Sequence, residues 1–315
     1  MNQYQNILMK WIHQILSKKL QANFTAEVRE NKLLNWAEYK WDLYKQPFRK
    51  MFEKQTVIDL DTYVQDVVVI HMSKRKDRYR SFKRESKRIK LTGGTLFDKI
   101  RIHDAVDGRK IRKKRRKDFK PEYTFKSWYD INPESRWKKI KDKDKIKVMS
   151  SDPEVGISLS HMGVWKDIVK KKTPYTLILE DDFIIDVGFQ KRFISIWNEL
   201  PLDFDLLYLS YLPSSDGFKF DLYKNNLLKI HKGIWWLSGY VLSYEGAKKL
   251  VDNFPVIGVA DMWINHIIPS MKVYSTRTNL INQKNNFKSD NVYSFISGDY
   301  NPEVRKMLED KRGTI

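Results

Sequence analysis

The chain has 315 residues, of which 41% are hydrophobic and 13% aromatic, so it has enough apolar material for a packed core and is not globally disordered. It contains no cysteine, which excludes disulfide bonds and thiolate metal sites within it. Its 59 basic residues exceed its 39 acidic ones, and the formal net charge of +20 is typical of proteins with anionic partners, although lysine-biased coding explains it equally well.

Residues 1–63 predict a helical extension at the N terminus. Apolar residues recur at helical spacing from Ile7 to Leu16, and a second helical pattern runs from Leu33 to Tyr44. Such a pair must pack on its own domain, on a second subunit or on a membrane, and we expect a homodimer or a peripheral membrane contact. The first residues show no signal-peptide pattern, so the predicted location is cytoplasmic, or peripheral on the cytosolic face of a membrane.

From Val67 onward, predicted strands alternate with predicted helices. The stretch "VVVIHM" predicts a buried strand and "DRYRSFKRESKRI" a helix, whereas the basic stretch 109–148 shows little apolar periodicity and predicts a long connecting loop. "EVGISLSHMGVWKDIVKKK" then predicts a helix that leads into the strand "YTLILE". This alternation predicts an α/β domain over residues 64–295 with a mostly parallel central sheet, and residues 296–315 predict a C-terminal helical tail.

The strand "YTLILE" is followed at once by further acidic residues, so that Glu180, Asp181 and Asp182 form a triplet. Like charges at this spacing repel one another unless a cation offsets them. Ligands bind beyond the carboxyl ends of strands in α/β sheets, and carboxylate oxygens suit Mg²⁺ or Mn²⁺. The triplet therefore predicts a divalent ion that completes its shell with substrate phosphates. In the alternative interpretation, Asp182 or Asp186 caps the next helix and the other carboxylates are solvated.

Seven motifs follow one another between approximately Asp66 and Asp290. They are "VVVIHMSKRKDRYRSF", "HDAVDG", "VGISLSHMGVWKDIV", "LILEDD", "DFDLLYLS", "GYVLSYEGAKKL" and "NQKNNFKSD". In this order they resemble glycosyltransferase family 25, which includes bacterial lipopolysaccharide galactosyltransferases and collagen hydroxylysine galactosyltransferases. The resemblance implies a GT-A type fold in which a UDP-sugar binds at the carboxyl edge of the sheet together with Mn²⁺ or Mg²⁺.

The resemblance also implies which residues contact the nucleotide-sugar and the ion. An arginine-rich turn follows the first strand, and its Arg78 is expected to pair with phosphate. The carboxylate of "AVDG" is expected to accept hydrogen bonds from ribose or uracil, and the glycine after it to form a tight turn. The predicted nucleotide-binding residues are Ser73, Arg75, Arg78, Asp107, Gly108, Glu180 and Asp181. The predicted metal ligands are Asp182 and Asp181.

For the acceptor step, the resemblance points to Asp261 in "GVADMWINHI", although many relatives have a "VDEF"-like string where this chain has "VADMW". Asp261 is predicted to be the general base for the acceptor hydroxyl, with a further metal contact as the alternative and His266 as the second candidate base. His161 is expected to orient the acidic loop by a hydrogen bond rather than to bind the ion. Trp235 and Trp236 either stack on a sugar or pack in the core.

These features predict a metal-dependent glycosyltransferase that moves galactose or glucose from a UDP-sugar to a hydroxyl group of a saccharide or of a hydroxylysine-linked, collagen-like acceptor. Anionic lipopolysaccharide would be attracted to the basic chain more than lysine-rich collagen would. The run "RKIRKKRRK" suggests a nucleic-acid-binding protein, but no groove-reading helix or aromatic RNA platform accompanies it, so nucleic acid is not an expected partner. A two-metal nucleotidyltransferase or nuclease needs a second acidic cluster, for which Asp203 and Asp205 are the candidates.

Overall fold

The computed structural model describes residues 56–111, 116–214, 216–284 and 295–297. Both helical patterns of the predicted N-terminal extension lie outside these ranges, as does most of the predicted C-terminal tail. The homodimer and the membrane contact were inferred from that extension, so both stay predictions. None of the helices in the described ranges is long and apolar enough to cross a membrane.

The described part of the chain contains strands, α-helices and short 3₁₀ helices. The strands are β1 (Asp66–His71), β2 (Lys90–Leu91), β3 (Gly94–Thr95), β4 (Ile100–Asp104), β5 (Phe119–Lys120), β6 (Glu122–Thr124), β7 (Lys147–Met149), β8 (Tyr175–Glu180), β9 (Phe183–Ile185), β10 (Leu206–Pro213), β11 (Lys219–Lys224), β12 (Leu227–Lys232), β13 (Ile234–Ser243), β14 (Val256–Ile257), β15 (Val273–Thr276), β16 (Ile281–Gln283) and β17 (Phe295–Ser297). The α-helices are α1 (Lys76–Lys87), α2 (Leu96–Lys99), α3 (Gly108–Ile111), α4 (Phe125–Ile131), α5 (Asp152–Lys171), α6 (Phe189–Glu199), α7 (Tyr244–Asp252) and α8 (Ala260–Ile267). The 3₁₀ helices are Leu60–Thr62, Ser135–Trp137 and Ile268–Ser270.

The first half of the domain contains two crossover connections. β1 lies between β4 and β8, and both neighbours are parallel to it. The connection from β1 to β4 contains α1, and the connection from β4 to β8 contains α5. A parallel pair needs a crossover of about a dozen residues or more, which a helix supplies. The predicted α/β class is therefore confirmed, and in this half the predicted parallel pairing is present.

The complete central sheet has eight strands in the order β11-β12-β15-β10-β13-β8-β1-β4. Four of its seven neighbouring pairs are antiparallel, so the prediction of a mostly parallel sheet is wrong. The described residues between β10 and β13 contain no helix, and a two-residue turn joins β11 to β12. A turn this short joins only antiparallel strands. The prediction assumed a helix between successive strands and therefore did not anticipate this hairpin. By their pairing, six strands nevertheless share one direction, and β12 and β13 run opposite to them.

Apolar clusters cover both faces of the sheet, and β8 shows how the sequence produces them. Leu177 and Leu179 belong to the cluster that also contains Phe82 of α1 and residues of α6. Ile178, between them, belongs to the opposite cluster, which contains Trp165 of α5 and residues of α7 and α8. Successive strand residues point to opposite faces, so a strand covered on both sides has a continuous apolar run. The run "LIL" ends where the chain reaches the acidic triplet.

A third apolar cluster lies in the segment 119–149, between β4 and α5 in the chain. This segment contains β5, β6, α4, a 3₁₀ helix and β7, and its buried residues include Tyr123, Phe125 and Trp137. The prediction of a long connecting loop over 109–148 is therefore wrong for most of that stretch. The prediction failed because the apolar residues are irregularly spaced among lysines, and a set of short elements shows no sustained period.

Candidate active site

A cleft of about 770 Å³ opens at one edge of the central sheet. Its wall contains residues at or just after the carboxyl ends of β1, β4, β8 and β10, together with the first residues of β13. This is the edge at which α/β sheets bind ligands. The segment 119–149 supplies the facing wall, so the cleft lies between the sheet and that segment.

Most of the predicted site residues line this cleft. They are Arg75, Arg78, Asp107, Gly108, Glu180, Asp181, Asp182 and Asp261. Two predicted residues lie elsewhere: Ser73 is exposed in the turn after β1, and His266 is exposed on α8, where it contacts the backbone of Ser127. The structure therefore brings residues from three distant motifs and from α8 into one cavity, and leaves His266 outside it.

The acidic triplet is partly neutralised by a cationic side chain of the protein itself. Arg78, in the first turn of α1, places Nη1 2.7 Å from Asp181 Oδ1 and 3.1 Å from Asp182 Oδ2. Nδ1 of His71, at the end of β1, lies 2.7 Å from the other oxygen of Asp181. Asp181 is almost fully buried, at 5% exposure, and these two contacts give each of its carboxylate oxygens a hydrogen-bond partner.

Asp182 is less completely satisfied than Asp181. Burial and the neighbouring charge of Glu180 raise the pKa of Asp182 from 3.8 to about 7, although Arg78 acts in the opposite direction. Its Oδ1 atom is buried and has no hydrogen-bond partner among the described residues. A divalent cation would lower that pKa and give Oδ1 a partner, so the donor set fits Mg²⁺ or Mn²⁺.

The described residues contain no group of three or more His, Cys, Asp or Glu side chains arranged to hold a metal ion. Asp181 and Asp182 offer two carboxylates, which is the number that Mg²⁺ commonly takes from protein when substrate phosphates and water complete its shell. An ion bound here would therefore depend on the substrate for the rest of its ligands.

Glu180 is oriented by a chain of buried hydrogen bonds from α5. Nε2 of His161 lies 3.2 Å from Glu180 Oε1, and Nδ1 of the same ring lies 2.9 Å from the hydroxyl of Tyr240. Trp165 Nε1 donates to that hydroxyl at 2.9 Å. The indole N–H can only donate and a carboxylate can only accept, so the Tyr240 hydroxyl accepts from Trp165, and Nε2 of His161 donates to Glu180. The hydrogen bond expected between His161 and the acidic loop is present.

Gly108 is required for close packing rather than for the predicted tight turn. It begins α3, and a Cβ atom at this position would lie 1.7 Å from the carbonyl oxygen of Asp152, in the first turn of α5. Gly156 has the reciprocal constraint, since its Cβ would lie 2.5 Å from the carbonyl oxygen of Val106. The two glycines bring α3 against α5, and Asp107 is held at the cleft by hydrogen bonds from Lys74 and Arg109 nearby.

Asp261 lies in the first turn of α8 and is held by two backbone amides. Oδ1 accepts from Met262 N–H at 2.8 Å, and Oδ2 accepts from Trp236 N–H at 3.3 Å. Trp236 has φ of +76°, a left-handed conformation that is costly for a residue with a side chain. Burial raises the pKa of Asp261 from 3.8 to about 6. The carboxylate is thus ionised at neutral pH yet basic enough to accept a proton.

The cleft wall also contains six aromatic residues among those that the structure describes. It contains Trp235 and Trp236 at the start of β13, and four residues of the segment 119–149, namely Tyr123, Phe125, Trp128 and Trp137. Sequence reasoning singled out the first pair and missed the other four, because they fall in the predicted loop. The signal available was the string "YTFKSWYDINPESRW", whose aromatic content is too high for an exposed basic loop.

Comparison with known proteins identifies relatives of this chain. Residues 64–268 match the family model described as glycosyltransferase family 25 (LPS biosynthesis protein). The chain is 26% identical over 200 residues to human procollagen galactosyltransferase 2, and the aligned region covers 60% of this chain and 28% of that protein. It is 29% identical over 191 residues to the procollagen lysyl hydroxylase and glycosyltransferase of Acanthamoeba polyphaga mimivirus, covering 58% and 19% respectively. A glycosyltransferase 25 family member of Drosophila melanogaster is 31% identical over 106 residues, 33% of this chain and 17% of that protein. The matched region is therefore less than a third of each of these relatives.

Proposed function

This chain belongs to glycosyltransferase family 25, and from that premise we propose that its cleft transfers galactose or glucose from a UDP-sugar to an acceptor hydroxyl group. The observation that carries the proposal is that one cleft contains both the acidic triplet with Arg78 and, separately held, the carboxylate of Asp261. The first group suits a nucleoside diphosphate, and the second suits a hydroxyl group that must lose a proton.

At the donor end, the proposed arrangement is of the GT-A type. The turn after β1 and the first turn of α1 supply Arg75 and Arg78, and the residues after β4 supply Asp107. The parallel neighbour β8 supplies the triplet. The guanidinium groups are assigned to the diphosphate, and Asp107 to ribose or uracil. Arg78 then exchanges part of its contact with the triplet for phosphate oxygens, which frees carboxylate oxygens for a cation.

Asp181 and Asp182 would hold Mn²⁺ or Mg²⁺, and a bound ion would stabilise the negative charge of the leaving diphosphate. The buried, unpartnered Oδ1 of Asp182 supports this assignment. Glu180, oriented by His161, is assigned to the nucleotide-sugar.

At the acceptor end, Asp261 takes the proton of the acceptor hydroxyl group. The hydroxyl oxygen forms a bond to the anomeric carbon as the bond from that carbon to the diphosphate oxygen breaks, and the bonding electron pair leaves with UDP. The two backbone amides that hold Asp261 fix the position of this base, and its pKa of about 6 suits proton transfer near neutral pH. A single displacement of this kind inverts the anomeric centre.

The proposal is tested by UDP binding and UDP-sugar hydrolysis. We expect UDP to raise the melting temperature in the presence of Mn²⁺ or Mg²⁺ and much less in EDTA. A hydrolysis panel of UDP-Gal, UDP-Glc, UDP-GalNAc and UDP-GlcNAc identifies the donor sugar.

Asp182→Ala should abolish both the stabilisation by UDP and the hydrolysis of the UDP-sugar. The matched control is Asp221→Ala, which removes a carboxylate of the β11 surface that is 71% exposed. UDP stabilisation that is the same in EDTA would contradict the metal assignment, and the absence of UDP binding under any condition would contradict the whole proposal.

A further inference from the structure

The aromatic wall of the cleft has a buried base and a partly exposed face. Phe125 and Trp137 are buried, at 3% and 4% exposure, whereas Trp128, Trp235 and Trp236 are only partly buried and line the cleft. Trp128 stacks on Phe125 with ring centroids 5.5 Å apart, and Trp137 meets it edge-on at 6.2 Å. These neighbours fix the ring of Trp128, so its accessible surface is a rigid apolar face.

Trp235 extends this face from the opposite side of the cleft. Its ring centroid lies 6.5 Å from that of Trp128, at an angle of 34°, although the two residues are more than 100 positions apart in the chain. Its neighbour Trp236 donates the backbone hydrogen bond to Asp261. Trp236 thus links the aromatic face to Asp261, the carboxylate assigned to the acceptor hydroxyl group, because it follows Trp235 in the chain and donates to that carboxylate.

Polar side chains of the kind that bind sugar hydroxyl groups line the same cleft. Asn132 Nδ2 donates to Glu134 Oε1 at 2.8 Å, which pairs an amide with a carboxylate. Glu154 accepts from Ser151 N–H at 2.8 Å, and so its carboxylate is also held in place. A flat apolar face bordered by a few fixed polar groups suits a pyranose ring, which has an apolar face and a rim of hydroxyl groups.

We propose that Trp128 and Trp235 form the acceptor subsite, and that the acceptor is a glycoside whose pyranose ring stacks on them with one hydroxyl group at Asp261. This inference rests on the proposed function and names the acceptor class of that site. An amino-acid side chain such as hydroxylysine offers no flat face to two tryptophans.

The test uses the full chain with its UDP-sugar donor and three acceptors, namely methyl β-galactopyranoside, methyl β-glucopyranoside and free 5-hydroxylysine. We expect product by mass spectrometry with at least one methyl glycoside and none with hydroxylysine. Trp128→Ala and Trp235→Ala should each raise the acceptor KM about tenfold, because each removes one aromatic contact, while the KM for the UDP-sugar stays unchanged. Trp128→Phe should raise the acceptor KM less than Trp128→Ala does, because it keeps an aromatic ring. It also keeps the test valid if the alanine variant fails to fold.

The matched control is Trp197→Phe, on α6, where the indole packs on Tyr63 and Tyr175 outside the cleft. This control should leave both KM values unchanged. Transfer to hydroxylysine but to neither glycoside would overturn the proposal, as would an unchanged acceptor KM in both alanine variants. UDP-sugar hydrolysis and metal-dependent UDP binding need no acceptor, so either result leaves the donor half of the proposed function standing.

Discussion

The charged end and the aromatic end of the cleft are built in opposite ways. The charged end takes consecutive residues from the end of β8 and meets them with side chains from the end of β1 and the start of α1. The aromatic end joins the segment 119–149 to the first residues of β13, which lie about a hundred positions later. One end therefore depends on strand register and charge balance, and the other on the packing of large side chains.

This difference determines what each end tolerates. Buried carboxylates at the charged end need a counter-charge, and removal of the partner leaves an uncompensated charge that costs several kcal/mol. The aromatic end is held together by contacts between apolar rings, so its stability responds to lost volume and contact area more than to pH or salt. The following variants test this contrast, from the largest expected effect to the smallest.

The largest effect is expected from Arg78→Met, which removes the guanidinium group shared by Asp181 and Asp182. We expect a loss of about 3 kcal/mol in the free energy of unfolding, measured by urea denaturation at pH 8. This pH lies above the pKa of about 7 of Asp182, and the variant leaves that buried carboxylate without its counter-charge. Arg80→Met, an exposed position on the same helix, is the control and should change little. A loss below about 1 kcal/mol in Arg78→Met would mean that the charged end does not depend on this counter-charge.

The next effect concerns the base at the boundary between the two ends. Asp261→Asn should lower the transfer rate by about a hundredfold or more, as loss of a general base does, because the amide cannot accept the proton. UDP affinity, measured by calorimetry with Mn²⁺ present, should stay close to that of the unaltered chain. If this variant instead loses metal-dependent UDP binding, Asp261 belongs to the charged end and the base lies elsewhere.

The contrast in pH dependence follows from the raised pKa of Asp182, about 7 in the folded chain against 3.8 for the ordinary group. Between these values the folded state holds one more proton than the unfolded state, so the stabilising contribution is complete below about pH 4 and is lost as the pH rises through 7. Asp182→Asn should therefore flatten the fall in unfolding free energy between pH 4 and pH 7, measured in the absence of divalent ions. Trp128→Phe, at the aromatic end, should leave that slope unchanged, and an equal change of slope in both variants would contradict the contrast.

The smallest effect is expected from Tyr240→Phe. The lost hydroxyl contacts His161 Nδ1 at 2.9 Å, so its removal frees the ring that donates to Glu180 and leaves the indole N–H of Trp165 without its acceptor. We expect a loss of about 1–2 kcal/mol in the free energy of unfolding and a severalfold lower kcat, because Glu180 is then held less firmly. A kcat like that of the unaltered chain would show that Tyr240 acts only in packing.

Local sequence patterns were sufficient to predict the strands and helices that carry much of the charged end. The alternation of apolar runs with helical periods predicted β1, α1, α5 and β8, and the triplet at the end of β8 predicted a ligand site at the edge where the cleft lies. The strand and helix predictions succeed because a strand buried on both faces must be apolar throughout. The ligand site at the triplet stays a prediction. The order of the motifs was sufficient to identify the family, and the match of the family model to residues 64–268 confirms it.

Only the tertiary structure decided the antiparallel half of the sheet, the counter-charge of Arg78 and the aromatic wall. Strand direction from β10 to β13 depends on which neighbours each strand finds, and no period in the sequence records that choice. The contact of Trp128 with Trp235 joins residues without any sequence pattern in common, because packing selects side chains by shape and volume rather than by spacing. Charge and strand period are local properties that the sequence states directly, whereas the aromatic wall exists only once the fold brings its two segments together.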